Sequence, residues 1–172
     1  MEKNLNVIYE RRSIRAYEPG AIPEPIVTEM LKAAMAAPSA VCKDPWHFIV
    51  VRNRQTLDRM GAGLPNAPML KDATAAIVVC GDMNKAHDGL LSYMLQDCSA
   101  AIENLLIAAD VLGVGACWLG VHPREERIAL MREIFGLPGH VVPVSAIALG
   151  WPGEEKEART RYRKEVVHQE QW

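Results

Sequence analysis

The sequence predicts a three-layer arrangement, with a β-sheet covered by helices on both faces. Three observations lead there. Short apolar runs rich in β-branched residues alternate with segments of helical period, and the longest helical segment is apolar on more than one side. The 172 residues, 49% of them hydrophobic, are also enough to bury a real core around one sheet. No repeat, low-complexity tract or linker interrupts the middle of the chain, so residues 1–172 are expected to form a single domain.

The elements follow in order. A short helix is expected over about 5–11, then a turn at Glu18-Pro19-Gly20. Pro23 and Pro25 open a second helix carrying Ile26, Met30, Ala33 and Ala34, because the fixed φ of proline suits a first helical turn; Pro38 ends it. Residues 47–51 and 75–80 read as buried strands, with a helix and a Gly/Pro-rich loop between them. From about 89 to 112, Leu91, Met94, Leu95, Cys98, Ile102, Leu105, Ala109 and Leu112 recur at spacings of three and four, while Leu90, Ala101 and Leu106 lie off that stripe. Gly113 suits the end of this helix and releases the chain into a third strand at 114–121. A helix with Ile128, Met131, Ile134 and Phe135 follows, then a last strand at 141–149 and a charged tail from about 154 to 172 that ends in an aromatic residue.

Charge and cysteine usage narrow the function. Lys and Arg number 19 against 21 acidic residues, so no global field argues for nucleic acid or a membrane surface as partner. Residues 1–15 are mixed in charge, with no long apolar core of a signal peptide, so a cytoplasmic location is expected. The longest uncharged stretch, 134–153, contains Pro138, Pro143 and Pro152 and reads as loop and strand rather than a membrane span. Cys42, Cys80, Cys98 and Cys117 lack the paired spacing of a metal or dithiol centre and are expected to be packing thiols.

Positive charge is grouped at the two ends of the chain. Arg11-Arg12-Ser13-Ile14-Arg15 offers guanidinium forks and a hydroxyl matched to phosphate oxygens, although on spacing alone a solvated helix end is the favoured reading. Arg159-Thr160-Arg161-Tyr162-Arg163-Lys164 is the second group, and it too reads alone as a solvated charge run. Ala37-Pro38-Ser39-Ala40 and Asp44-Pro45-Trp46-His47 bracket a loop where backbone can approach a ligand, or simply a proline-punctuated connection. Residues 113–120 (Gly-Val-Gly-Ala-Cys-Trp-Leu-Gly) lack the strand-turn-helix order of a dinucleotide-binding loop, but a strand ending in Gly120 leaves its amide open to a flat ligand. No catalytic triad, paired-histidine spacing or P-loop is present.

Taken together and in this order, Arg-Arg-Ser-Ile-Arg, Ala-Pro-Ser with Pro-Trp-His-Phe, the 113–120 strand and the Arg-Thr-Arg tail resemble the FMN-dependent nitroreductase family over nearly the whole chain. The resemblance implies an α+β fold of three α/β/α layers with a mixed central sheet. It also implies a homodimer with FMN at the interface, a tail over about 154–172 wrapping the partner subunit, and ping-pong transfer from NAD(P)H to a small-molecule acceptor such as a nitroaromatic or quinone. By position, Arg11, Arg12, Ser13, Arg159 and Arg161 match the family's phosphate cradle, and Arg15 matches a basic position at the pyrimidine edge of the flavin. Pro38 and Ser39 match contacts made from the opposite subunit, Asn66 a polar contact to the ring, and Leu119 and Gly120 the amides near flavin N5. No side chain is expected to be catalytic, because the flavin is the redox group. Members often carry Asn and Gln where this chain has Cys42 and Asp44, which leaves some hydrogen bonds to the flavin open. The chain has no room for the helical excursion that covers the flavin in larger members. The alternatives are a same-fold flavin enzyme with a specialised substrate, or a non-catalytic flavin-binding or redox-sensing protein in which Cys42 is the functional group.

Overall fold

A computed structural model describes residues 5–172 of the chain. Its strands are β1 (Tyr17–Glu18), β2 (Trp46–Val51), β3 (Ala75–Asp82), β4 (Gly115–Gly120) and β5 (Val141–Pro152), and its α-helices are α1 (Asn6–Glu10), α2 (Glu24–Met35), α3 (Arg54–Gly63), α4 (Leu91–Val111) and α5 (Glu125–Phe135). The strands form one sheet, in which β5 pairs with β3, β4 and β1, and β2 lies beyond β3. Ile147 of β5 is opposite both Ile77 and Trp118, which places it at the centre. All the strand ladders are antiparallel, and the parallel component of the sheet is an isolated bridge between Ser13 and Ala116.

The layers follow from alternation along the two central strands. On β3, Ala75, Ile77 and Val79 face α2 and α4, whereas Ala76, Val78 and Cys80 face α3 and α5. On β5, Ile147 and Leu149 take the first side and Ala146 and Ala148 the second. With both faces covered, these strands read as unbroken apolar runs rather than alternating ones. Each fully buried aliphatic side chain stabilises the fold by about 1.5–3 kcal/mol.

The local signals act as expected. Pro25 lies in the first turn of α2, and the Asn53 side chain caps α3 by accepting from the Thr56 amide at 3.0 Å. Helix α4 is 21 residues long and buries Met94, Cys98, Ile102 and Leu105. Much of its second apolar side is covered by α2, while Leu91, Tyr93 and Val111 at its ends stay exposed. Cys80, Cys98 and Cys117 are buried, and burial pushes the Cys80 and Cys98 thiols up to about 12, so these act as packing groups. Cys42 is the exposed one. No helix among the described residues is long and apolar enough to cross a membrane.

Two differences from the sequence reading concern β1 and β5. Glu18, read as part of a turn, is the second residue of a strand too short to carry any periodicity. The last strand, expected over 141–149, runs on to Pro152, and Pro143 lies inside it opposite Cys80, where a register shift between Val79 and Cys80 loosens the ladder that a proline would otherwise interrupt.

The join between β1 and β5 depends on a missing side chain. A Cβ at Gly150 would lie 2.6 Å from Tyr17 Cγ, and the Tyr17 hydroxyl donates to the Ile14 and Ala148 carbonyls at 2.9 and 3.2 Å. We predict that Gly150→Ala costs about 1–3 kcal/mol by overpacking and displaces the 13–18 segment. Chemical denaturation compared with wild type checks this, and equal midpoints would contradict it.

Candidate cofactor-binding site

The two ends of the chain are laced together beyond β1. The Gly153 amide donates to the Ala16 carbonyl at 2.9 Å, and Glu154 Oε1 accepts from the Arg15 and Ala16 amides at 2.6 and 3.4 Å. Lys156 Nζ donates to the Ser13 carbonyl at 2.7 Å and to Glu154 Oε1 at 2.8 Å. Further out, the Arg12 guanidinium donates to the Glu157 carbonyl, and the Arg159 amide donates to the Tyr9 carbonyl at 3.1 Å. On its other side the N-terminal segment is held to β4, with the Ile14 amide donating to the Ala116 carbonyl at 2.9 Å. Gly115 permits that approach, since a Cβ there would sit 2.9 Å from Ile14 Cγ2.

This lacing brings both arginine groups onto one cavity of about 510 Å³. Arg11, Arg12, Arg15, Arg159, Arg161 and Lys156 line it, together with Ser13 and Ile8. Two of these cations have carboxylate partners: Lys156 has Glu154, and Arg11 Nε lies 3.0 Å from Glu103 Oε1 as an ion pair without hydrogen-bond alignment. For Arg12, Arg159 and Arg161 no carboxylate comes within ion-pair distance among the described residues. They repel instead. The Arg159 guanidinium is pushed below its ordinary proton affinity by Arg12 first and Arg161 second. A dianion held between them would relieve that repulsion and accept several charge-assisted hydrogen bonds.

Arg15 also lines a second cavity, of about 240 Å³, with Asn66, Leu119 and Gly120. Leu64, Ala67, Cys117, Trp118 and Arg127 complete its wall. The space over Gly120 is open, because a Cβ there would meet only Arg127 Nη1, at 4.0 Å. The Cys117 thiol is raised by burial, against the pull of Arg15 and Lys156, so it stays protonated near neutrality and is no nucleophile.

Of the residues singled out in the sequence, Arg11, Arg12, Ser13, Arg15, Arg159 and Arg161 share the first cavity, and Arg15, Asn66, Leu119 and Gly120 share the second. Pro38 and Ser39 line neither. They lie in the loop after α2, where the Ser39 hydroxyl donates to Asp44 Oδ1 at 2.5 Å and accepts from the Asp44 amide at 3.0 Å, and where Val41, Cys42 and Asp44 have positive φ. Buried Asp97 on α4 accepts from the Ala40 amide at 2.8 Å and fixes this loop to the body. Lys156 and Arg127 were missed. Lys156 sits among acidic neighbours, which reads as a solvated charge run, and only its reach back to Ser13 shows its place.

A self-repelling cationic cradle that shares one arginine with a slot at the end of a sheet strand defines an α+β protein built to hold an anionic cofactor. Residues 8–64 and 61–151 match the sequence pattern of the Nitroreductase family, and the chain belongs to that family. A provisionally named NADH dehydrogenase/NAD(P)H nitroreductase of Archaeoglobus fulgidus is 47% identical over 175 residues, covering 100% of both chains. Among solved structures, an FMN-dependent nitroreductase of Clostridium difficile R20291 is 28% identical with a TM-score of 0.90, covering 98% of this chain and 100% of that one. A provisionally named nitroreductase of Desulfovibrio desulfuricans in complex with FMN is likewise 28% identical, with a TM-score of 0.84 and 99% coverage of each chain.

Hydrogen bonds from Lys156 and the Arg15 amide hold the Glu154 carboxyl below its ordinary 4.5. A depressed carboxyl contributes stability that is present above the unfolded value and is lost as pH falls through the folded one. Glu154→Gln should therefore lower the melting temperature at pH 7, by a deficit that shrinks as the pH falls below 4.5. Thermal melts across that range check this, and a deficit that persists undiminished in acid would contradict it.

Proposed function

We propose that this protein is an NAD(P)H-dependent FMN oxidoreductase that works as a cytoplasmic homodimer. It would reduce nitroaromatic, quinone or related acceptors. The observation that carries the reading is the pair of cavities that share Arg15 as a wall, a cationic cradle and a slot with a polar edge and an open glycine. Those walls fit a phosphate ester joined to a flat heterocycle, and the family membership points to FMN.

Bound FMN supplies the two-electron chemistry, which no side chain in the site offers. The chain's own residues bind and orient. Arg11, Arg12, Ser13, Arg159 and Arg161 hold the phosphate, with Lys156 fixing the Ser13 backbone beneath it. Arg15 places positive charge at the pyrimidine edge, Asn66 offers a polar contact, and Leu119 and Gly120 present the β4 main chain to the reactive edge. Donor and acceptor would use one slot in turn, hence a ping-pong order.

Residues 1–172 act in this reading as one FMN-binding domain whose tail, from about 154 to 172, embraces the partner. Exposure along the tail supports this: Tyr162, Val166, Val167 and Trp172 are all uncovered on their own subunit. Pro38 and Ser39, remote from both cavities, would complete the partner's flavin site.

The purified protein should show the visible bands of oxidised flavin, one FMN per chain, and should oxidise NADH or NADPH with a quinone or nitroaromatic. Arg161→Ala should weaken FMN binding by about 1.5–3 kcal/mol, roughly tenfold or more, because it removes a charge-assisted bond. An unchanged FMN dissociation constant would remove Arg161 from the cradle. Deleting residues 166–172 should lower the dimer fraction and the flavin-to-protein ratio together, measured by light scattering and absorbance. A monomer saturated with FMN would refute the interface site.

A further inference from the structure

Arg127, on the first turn of α5, is the charged residue of the slot that the flavin reading leaves without a task. Its Nη1 donates to the Gly120 carbonyl at 2.8 Å, which pins the guanidinium at the end of β4. There it borders the open space over Gly120, where an added Cβ would meet only this group, at 4.0 Å. Its ion pair, with the adjacent Glu126, is a long one. The Glu126 carboxylate is 4.0 Å from Nε, and Nε is buried without an acceptor. Arg15 lines the same slot, and no acidic residue does.

A fixed cation at the wall of a cavity, with its own carboxylate only at the outer limit of ion pairing, favours whatever bound species carries negative charge there. Resting on the FMN reading, we propose that Arg127 is a second cationic contact of the redox ring, at the Gly120 end of the slot, and that it favours the ring's reduced, anionic state. Hydride transfer from NAD(P)H carries two electrons and one proton to the neutral ring and releases the oxidised nicotinamide, so the ring gains one negative charge. Arg15 meets that charge at one edge of the slot and Arg127 at the other.

The test compares wild-type holoenzyme with Arg127→Gln and Arg127→Lys. Gln keeps a donor for the Gly120 carbonyl and removes the charge, whereas Lys keeps the charge, so a purely structural role would not separate them. The flavin midpoint potential, read by spectroelectrochemistry, should fall in the Gln variant by about 30 mV, which for a two-electron couple is a tenfold shift toward the oxidised form. The Lys variant should stay near wild type. Should the Gln variant release its cofactor, the ratio of its dissociation constants for oxidised and reduced FMN replaces the potential and should shift by the same factor. A Gln variant with unchanged potential, or unchanged ratio, overturns the assignment of Arg127 alone. A wild-type protein with no affinity for FMN overturns the flavin reading, and this assignment with it.

Discussion

The site depends on the pairing of the segment around Tyr17 with the end of β5. That pairing is short, two residues from each strand. Tyr17 anchors it by packing over Gly150 and donating to two main-chain carbonyls, and its hydroxyl is kept protonated by burial. From this point the N-terminal segment and the tail run side by side, and the hydrogen bonds through Glu154, Lys156 and Arg12 simply continue the register that β1 begins. Without the pairing, the two arginine groups would be unrelated surface charges that repel.

The constraint on β5 is equally strict. It carries pairing partners on both edges and apolar neighbours on both faces, so neither its register nor its facing can slip without exposing one of the two cores. The rigidity of β5 is passed to β4 and so to Gly120. The slot is thus built against the doubly covered part of the sheet, while the cradle hangs on the more exposed tail that follows it.

Much of this was legible in the sequence, and the parts that were not share a cause. Helical period, proline and glycine punctuation and apolar runs gave the α-helices and the four longer strands, because those signals are local. The arginine groups could be read as groups, but their meeting rests on a contact between residues 143 positions apart, Ser13 and Lys156. Strand order and direction are non-local in the same way. Arg127 stayed hidden because the run Glu125-Glu126-Arg127 reads as an exposed helix start, and its turn toward Gly120 depends on how α5 is set against β4. Pro38 and Ser39 could be picked out by position only through resemblance, and on one subunit they stand apart from both cavities.

The order of the cradle's parts along the chain bears on how the protein comes into being. Its first half, near Arg12 and Ser13, leaves the ribosome early, but Lys156, Arg159 and Arg161 emerge after every strand of the sheet. A nascent chain therefore has no complete cationic cradle to offer, and under the proposed reading cofactor loading waits until Arg161 has been added. Ligand binding stabilises only states that can bind, so a ligand of this cradle would lend nothing to the early folding steps and would act on the assembled fold alone. The sheet and its two helical layers have to be stable by themselves, which is consistent with a core filled by aliphatic side chains rather than closed around the site.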